Sequence, residues 1–405
     1  MNLKFIRIID RYIGIPLCYA LHWIDALFKL SKKKGDKTKI DKILMIKFWG
    51  IGNLVMLLPT IKAIRQHYPN AQLDMFTLLQ NRQVFYRNSF IDNIYLLSNK
   101  NLLFFVSTFM KAVFQLRRKR YDMILDFEQF AKISSVFALL IRGQERIGFD
   151  TPGQGRGIAY TRKVAYLDFT HMVETFFRIA KGAGVDKADL SPLKLHVEEA
   201  ERKRVELFFQ ENGIGKNDFL VGVHIGSGDN MMAQRRWEIE KFAQLTDMLI
   251  DRHKLTIIFT GAGKDESKLV ERTVSLMKNR SINAVNQLSL KELAFLIEQC
   301  RFFISNDTAP VHIASAMKTP VVAFFGPNTP YLYGPRGKND LVFYRDLFCS
   351  PCITNYNAKI HKCDHSKCMK AIIVEEVLEG IEKKYFAKNS NSTIETRKLQ
   401  RSADR

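Results

Sequence analysis

The sequence predicts an α/β protein made of two Rossmann-like halves facing one another across a cleft. Three observations predict it. Short, wholly apolar runs alternate with amphipathic stretches along the 405 residues, as expected of parallel strands buried on both faces and joined by helices. These runs fall into two series, within 43–125 and 219–325, with a polar joint near 190–205. A chain of this length that is 46% hydrophobic also exceeds what one core usually organises.

The elements follow in order. Residues 12–30 are rich in apolar side chains (Ile13, Ile15, Leu17, Leu21, Trp23, Ile24, Leu27), but Pro16, His22, Asp25 and Lys29 interrupt them. A membrane span needs about 20 predominantly apolar residues, and an Asp near its middle is costly. No small-residue cleavage site follows either. Residues 1–40 therefore read as an amphipathic helix and a linker carrying Lys32, Lys33 and Lys34. Such a helix suits an anionic membrane surface, or it packs on the protein's own core.

The first half, residues 41–198, opens with Ile43-Leu44-Met45-Ile46. Further strands are read at 73–76 and at 123–125, the latter after a helix carrying Arg117, Arg118, Lys119 and Arg120. The glycine-rich segment 148–157 reads as a mobile edge loop. The second half, residues 199–388, repeats the alternation with strands at 219–223, 256–259, 302–304 and 321–325. One of its helices opens with the capping box Ser289 and Glu292. A helix at 374–384 closes the structure, and the polar tail 389–405 is expected to be disordered.

Sixty-two Lys and Arg against 41 Asp and Glu give a net charge of +21, which calls for an anionic partner. Nucleic acid, an anionic membrane and a phosphorylated glycolipid all satisfy it. No nucleic-acid-binding module appears and the basic residues are spread along the chain, so nucleic acid is not expected. Of six cysteines, Cys349, Cys352, Cys363 and Cys368 crowd together while Cys18 and Cys300 stand alone, which is not a secreted disulfide framework. With His361 and His365 interleaved, the cluster reads either as a structural zinc site or as reduced thiols pinning a loop.

Four segments carry the candidate chemistry. Ser305-Asn306-Asp307-Thr308-Ala309-Pro310 follows a strand and opens a helix, so its backbone N–H groups form an anion site. Asp307 and Thr308 there are donor contacts or helix caps, and His312, one turn on, is a site residue or a packed core histidine. Gly226 and Ser227 follow another strand and precede Arg235 and Arg236, a combination suited to a pyrophosphate because glycine admits the phosphate and arginine offers paired donors. The turn at 260–263, with Asp265 and Glu266, is a ribose contact or an ordinary turn. Lys47, Gly52 and Asn53 lie in the loop after the first strand, at the crevice where such sheets bind ligands. That loop lacks the third glycine and the acidic residue of a dinucleotide fingerprint, which excludes an oxidoreductase.

In this order the segments ILMIKFWGIGNLVMLLPTIKAIRQHYPNAQ, YDMILDFEQF, RRWEIEKFAQL and SNDTAPVHIASAMKTPVVAFFGPNTP resemble the family 9 glycosyltransferases, which include the lipopolysaccharide heptosyltransferases. The resemblance covers residues 42–379. It implies a GT-B fold, with the acceptor on the first half and a nucleotide sugar, ADP-heptose in the known cases, on the second. It further implies an inverting reaction without a divalent ion or other cofactor, on an anionic glycolipid of the bacterial envelope. A monomer at the cytoplasmic face of the inner membrane is the expected setting. By position the resemblance puts Arg235, Asp307, Thr308 and His312 at the donor, and the reading of the residues themselves adds Gly226, Ser227, Arg236, Glu266 and Ala309 to the donor candidates. Lys47, Gly52 and Asn53 fall at the acceptor, and Arg235 stands where the family usually has a phosphate-binding lysine.

One departure matters. Where the family's Gly-Asp supplies the general base, this sequence has Gly52-Asn53, and an amide cannot take a proton. Glu128 and Asp126, at the end of the strand 123–125, are the expected substitutes if they are more than solvated loop carboxylates. Asn53, Glu128 and Asp307 are thus the catalytic candidates. Another nucleotide sugar in O-antigen or capsule assembly, or a non-catalytic binding protein, remain alternatives.

Overall fold

A computed structural model describes residues 10, 12–30, 39–228, 230–357 and 363–387. Lys32, Lys33, Lys34, His361 and the tail 389–405 lie outside the described residues.

After helix α1 (Gly14–Leu30) the first sheet is built from β1 (Lys42–Ile46), β2 (Gln72–Leu78), β3 (Asn93–Leu97), β4 (Met123–Asp126), β5 (Glu145–Asp150) and β6 (Arg162–Ala165). Its helices are α2 (Ile51–His67), α3 (Leu102–Lys119), α4 (Lys132–Ile141) and α5 (Met172–Gly182). The second sheet holds β7 (Leu220–His224), β8 (Thr256–Thr260), β9 (Ile282–Asn283), β10 (Phe302–Asn306), β11 (Val321–Phe325) and β12 (Leu341–Tyr344). Around it lie α6 (Glu199–Glu211), α7 (Ile239–His253), α8 (Lys264–Leu276), α9 (Leu290–Gln299), α10 (Ala309–Met317) and α11 (Val374–Ile381).

Both sheets are parallel throughout, in the orders β3-β2-β1-β4-β5-β6 and β12-β11-β10-β7-β8-β9. These are the same doubly wound order, so each sheet reverses direction once, between β1 and β4 and between β7 and β10. Ligands bind such sheets beyond the strand ends at that reversal. The central strands are apolar because helices cover both faces: Ile43, Leu44, Met45 and Ile46 in β1 are all buried, as are the five residues of β10.

Helix α2 packs against α10, and one core cluster runs through both halves, including Val55 and Met56 of α2 with Val311 and Ile313 of α10. The Ser289–Glu292 capping box forms as expected.

One expectation is corrected. The segment 148–157 is no mobile edge loop: Gly148 and Phe149 are inside β5, and the Arg156 side chain is completely enclosed, paired with Asp126 at 2.8 Å. Ionic partners recruited from 30 residues away hold a stretch that its glycines would otherwise leave loose. Helix α1 forms, and it docks by one face on the first half. Cys18 is buried, and Asp25 forms a buried ion pair with Arg146 at 2.8 Å. The Asp that argued against a membrane span is therefore an internal anchor.

Candidate active site

The loops leaving β1, β4, β7 and β10 meet at the cleft between the sheets. Its walls include Lys47, Gly52, Asn53 and Glu128 from the first half and Ser227, Arg235, Asp307, Thr308, Ala309 and His312 from the second. The structure therefore brings ten sequence-selected residues together across the domain boundary.

Two helices begin at this cleft without a side-chain cap. Gly50 adopts φ +83 at the sharp turn into α2, a conformation open mainly to glycine. Thr308 is the N-cap of α10, yet its side chain makes no capping bond. The expectation that Asp307 and Thr308 cap α10 is thus corrected. The Asp307 carboxylate turns away, accepting from Arg235 Nη1 at 3.2 Å and from Asn328 Nδ2 at 2.9 Å. Pro310 sits in the first turn of α10, where its missing N–H costs nothing. First-turn N–H groups and the helix dipoles favour negative charge at both helix starts.

Arg235 is held in place by donating to the carbonyls of Asp307 (3.0 Å) and Ser227 (3.2 Å), while Arg236 Nε donates to Ser227 Oγ at 3.0 Å. Below them, Asn306 ties the loops together: its side-chain oxygen accepts from Trp237 N at 2.9 Å and its amide donates to Ile225 O at 2.8 Å. Two polar atoms here, Arg235 Nε and Asn328 Oδ1, are buried without a hydrogen-bond partner among the described residues. Buried polar groups ordinarily have partners, so an unsatisfied pair marks a place for a ligand or water.

Gly226, Arg236 and Glu266 are not among the residues that line the cleft. A Cβ at Gly226 would strike Glu266 Oε1, so only glycine lets the loop lie on that carboxylate. Glu266 accepts from Ala262 N at 2.8 Å and lies 3.7 Å from His224 Nε2. Burial lowers the pKa of His224, and the Glu266 charge opposes that shift.

On the opposite wall, Glu128 proves different from expectation. Its side chain and that of Lys47 are wholly enclosed and paired at 2.8 Å. The other carboxylate oxygen accepts from the N–H groups of Phe48 (2.7 Å) and Trp49 (2.9 Å). Asp126 in turn accepts from Glu128 N at 2.9 Å and from the Tyr160 hydroxyl at 2.6 Å. Arg156 also donates to the Glu128 carbonyl. Carboxylates that read as loop groups are therefore enclosed struts fixing the β1 loop. Thr77 and Asn81 complete the clamp by donating to the carbonyls of Lys47 (2.6 Å) and Phe48 (2.7 Å). Burial depresses the pKa of Lys47 even though Glu128 favours its charge.

His312 faces the β1 loop, and a Cβ on Gly52 would lie 2.4 Å from its Cδ2. Burial lowers its pKa to about 4, against a smaller opposing effect of Asp307, so the ring is neutral near pH 7.

Asn328, Arg156 and Tyr160 escaped the sequence reading. Asn328 stands in the Gly326-Pro327-Asn328 turn of a motif already singled out, and that was the available signal. Arg156 and Tyr160 have their partners some 30 residues away, and nothing local marks them.

The cysteine cluster forms no disulfide among the described residues. Its four thiols are free, and Cys363 Sγ lies 3.6 Å from His365 Nδ1. Among the described residues no three His, Cys, Asp or Glu side chains converge as metal ligands.

The comparisons with known proteins agree with this architecture. The chain is 27% identical over 338 residues to lipooligosaccharide heptosyltransferase 2 of Campylobacter jejuni, covering 82% of this chain and 96% of that one. Its fold is similar to that of a Veillonella parvula family 9 glycosyl transferase (TM-score 0.73, 22% identity, 87% and 100% of the two chains). It is also similar to Escherichia coli ADP-heptose lps heptosyltransferase II (TM-score 0.66, 20% identity, 84% and 98%). The model of glycosyltransferase family 9 (heptosyltransferase) matches residues 110–361, more than half of the sequence, and this chain belongs to that family.

Proposed function

We propose that this glycosyltransferase moves a heptose from ADP-heptose onto a saccharide of a lipopolysaccharide-type glycolipid, with inversion at the anomeric carbon. The observation that carries the reading is the cleft itself, where Arg235, buried unsatisfied donor and acceptor atoms and the uncapped start of α10 suit a nucleoside diphosphate. The names of the relatives favour heptose as the sugar and a lipooligosaccharide or lipopolysaccharide as the acceptor.

In this reading an acceptor hydroxyl attacks the anomeric carbon as the bond to the diphosphate oxygen breaks. Arg235 and the N–H groups of α10 balance the charge that collects on the departing ADP. Asn53 orients the acceptor hydroxyl through its amide. The hydroxyl proton passes to His312, whose neutral ring adjoins Gly52, because the oxygens of Glu128 are already engaged by three donors. Glu128 is assigned the positioning of the β1 loop. No step runs through the cysteine cluster. The acceptor is expected on an anionic membrane surface at the cytoplasmic side.

The test is direct. ADP-heptose and a deacylated core saccharide are supplied, ADP release is followed, and the anomeric configuration of the product is read by NMR. Release of ADP with an inverted linkage is expected. Tight donor binding without turnover would instead establish a non-catalytic binding protein, and preference for another nucleotide sugar would move the enzyme to a different envelope polymer.

A further inference from the structure

Helix α3 has two apolar faces. Phe105, Phe109, Ala112 and Leu116 turn inward to the core. On the opposite side, Leu103, Val106, Met110 and Phe114 recur at helical spacing and are exposed, Met110 by 62% and Phe114 by 61%. A helix apolar all round belongs inside a structure, yet this outer stripe faces outward. Helix α1 repeats the arrangement. Its inner face carries Cys18 and Asp25, while Trp23 and Leu27, each 68% exposed, and Ile24 point outward. Both helices pack on α4, and Cys18, Leu116 and Phe137 share one core cluster, so the two outer faces belong to one layer on the same side of the first sheet.

Among the described side chains of these two helices the exposed charge has one sign. Helix α3 contains no acidic residue, and the single carboxylate of α1, Asp25, is buried against Arg146. Lys111 and Arg118 flank the α3 stripe, Arg118 lying over the Phe114 ring at 4.7 Å, and Arg117 and Arg120 close it. Asp41 and Asp122 lie beside Arg118 and Arg120 at the end of α3, but the apolar side chains, an outward tryptophan among them, are flanked on their own helices by cations and by no exposed carboxylate, which matches an anionic lipid leaflet. Neither helix is long and apolar enough to cross a membrane among the described residues.

We propose that the outer faces of α3 and α1 form one lipid-docking surface, on which the first half of the protein lies against an anionic bilayer. Helix α3 begins directly after Asn99 and Lys100, which line the cleft. Docking through α3 therefore brings the cleft rim to the membrane surface, where a lipid-linked acceptor would enter. Membrane binding stands independently of the transfer reading, and only acceptor delivery rests on it.

The test uses the full chain and vesicle flotation with phosphatidylglycerol-containing or pure phosphatidylcholine vesicles. Binding to the anionic vesicles that weakens with salt is expected. Met110→Glu with Phe114→Glu should lower it by about tenfold or more, as should Trp23→Glu with Leu27→Glu, whereas Leu207→Glu on exposed α6 should not. All substituted positions are exposed, so the variants should melt near the wild type. Turnover of a soluble, lipid-free acceptor should be unchanged in the α3 variant while turnover of a vesicle-embedded acceptor falls. Flotation of the wild type that the α3 substitutions abolish, in the absence of any transferase activity, would sink the transfer reading and leave the docking surface standing. Failure of the wild type to float, or unchanged flotation of the α3 variant, overturns the proposal. So does a wild-type dimer in sedimentation that the same substitutions dissociate, since the face would then be a protein interface.

Discussion

The imidazole of His312 packs on the backbone of Gly52, so closely that a methyl group added at Gly52 would fall 2.4 Å from His312 Cδ2. This contact joins the start of α2 to the first turns of α10 and couples the two cleft walls. Gly52→Ala must therefore push the ring or the helix aside, at about 1–3 kcal/mol. Thermal melting should show that loss, and turnover should fall further than stability because the proposed proton acceptor moves. A fully active Gly52→Ala enzyme would show that the contact is dispensable.

Glu128 and Lys47 are enclosed together. Glu128→Gln leaves the ammonium without its counter-charge, and breaking one side of a buried pair costs about 3–5 kcal/mol. Urea unfolding should reveal that cost, and replacing both residues (Lys47→Met with Glu128→Leu) should restore much of it. If Glu128 positions the loop, the single variant lowers kcat without moving the acid limb of the pH profile. Disappearance of that limb with stability intact would return Glu128 to the role of general base.

At the donor site, Asp307→Ala removes the carboxylate that orients Arg235 and Asn328. Turnover is expected to fall by about 10² or more, the scale of a lost transition-state contact. Arg235→Ala should weaken ADP binding in calorimetry by about 2 kcal/mol, typical of a charge-assisted hydrogen bond. Undiminished ADP affinity would remove Arg235 from the diphosphate site.

The buried His312 gives a pH signature. Its pKa is lowered by burial from 6.5 to about 4, so between these values the unfolded chain binds the proton and the folded chain does not. Its stabilising contribution is fully present above pH 6.5 and is lost as pH falls towards 4, amounting at most to about 3 kcal/mol. His224, also lowered by burial, acts in the same direction. Melting from pH 7 to 4 should show the decline, and His312→Gln should make it shallower. An unchanged slope would mean that His312 is protonated in the folded protein.

The ion pair of Asp25 with Arg146 ties α1 to the first half. Asp25→Ala should destabilise the protein by about 3 kcal/mol, because Arg146 stays buried without its charge partner. A melting temperature equal to that of the wild type would show that α1 docks without this anchor.

Periodicity and local motifs determined much of this protein. Runs such as Ile43–Ile46 and Phe302–Ile304 announce buried parallel strands because their apolar side chains follow one another without alternation. The helix start carrying Asn53 and the loops carrying Ser227 and Asp307 follow from those strands, since ligand crevices lie beyond the strand ends. The Ser289–Glu292 cap is a four-residue pattern and was legible for the same reason. Tertiary structure alone decided what those side chains do. Lys47 and Glu128 are 81 residues apart, as are Asn306 and Ile225, and Asp25 meets Arg146 across 121. Burial is a property of everything packed around a side chain, so it changed Glu128 from a presumed loop carboxylate into an enclosed strut and Asp25 into an anchor. It also left Met110 and Phe114 outside, on a helix whose sequence reads as equally apolar on both sides.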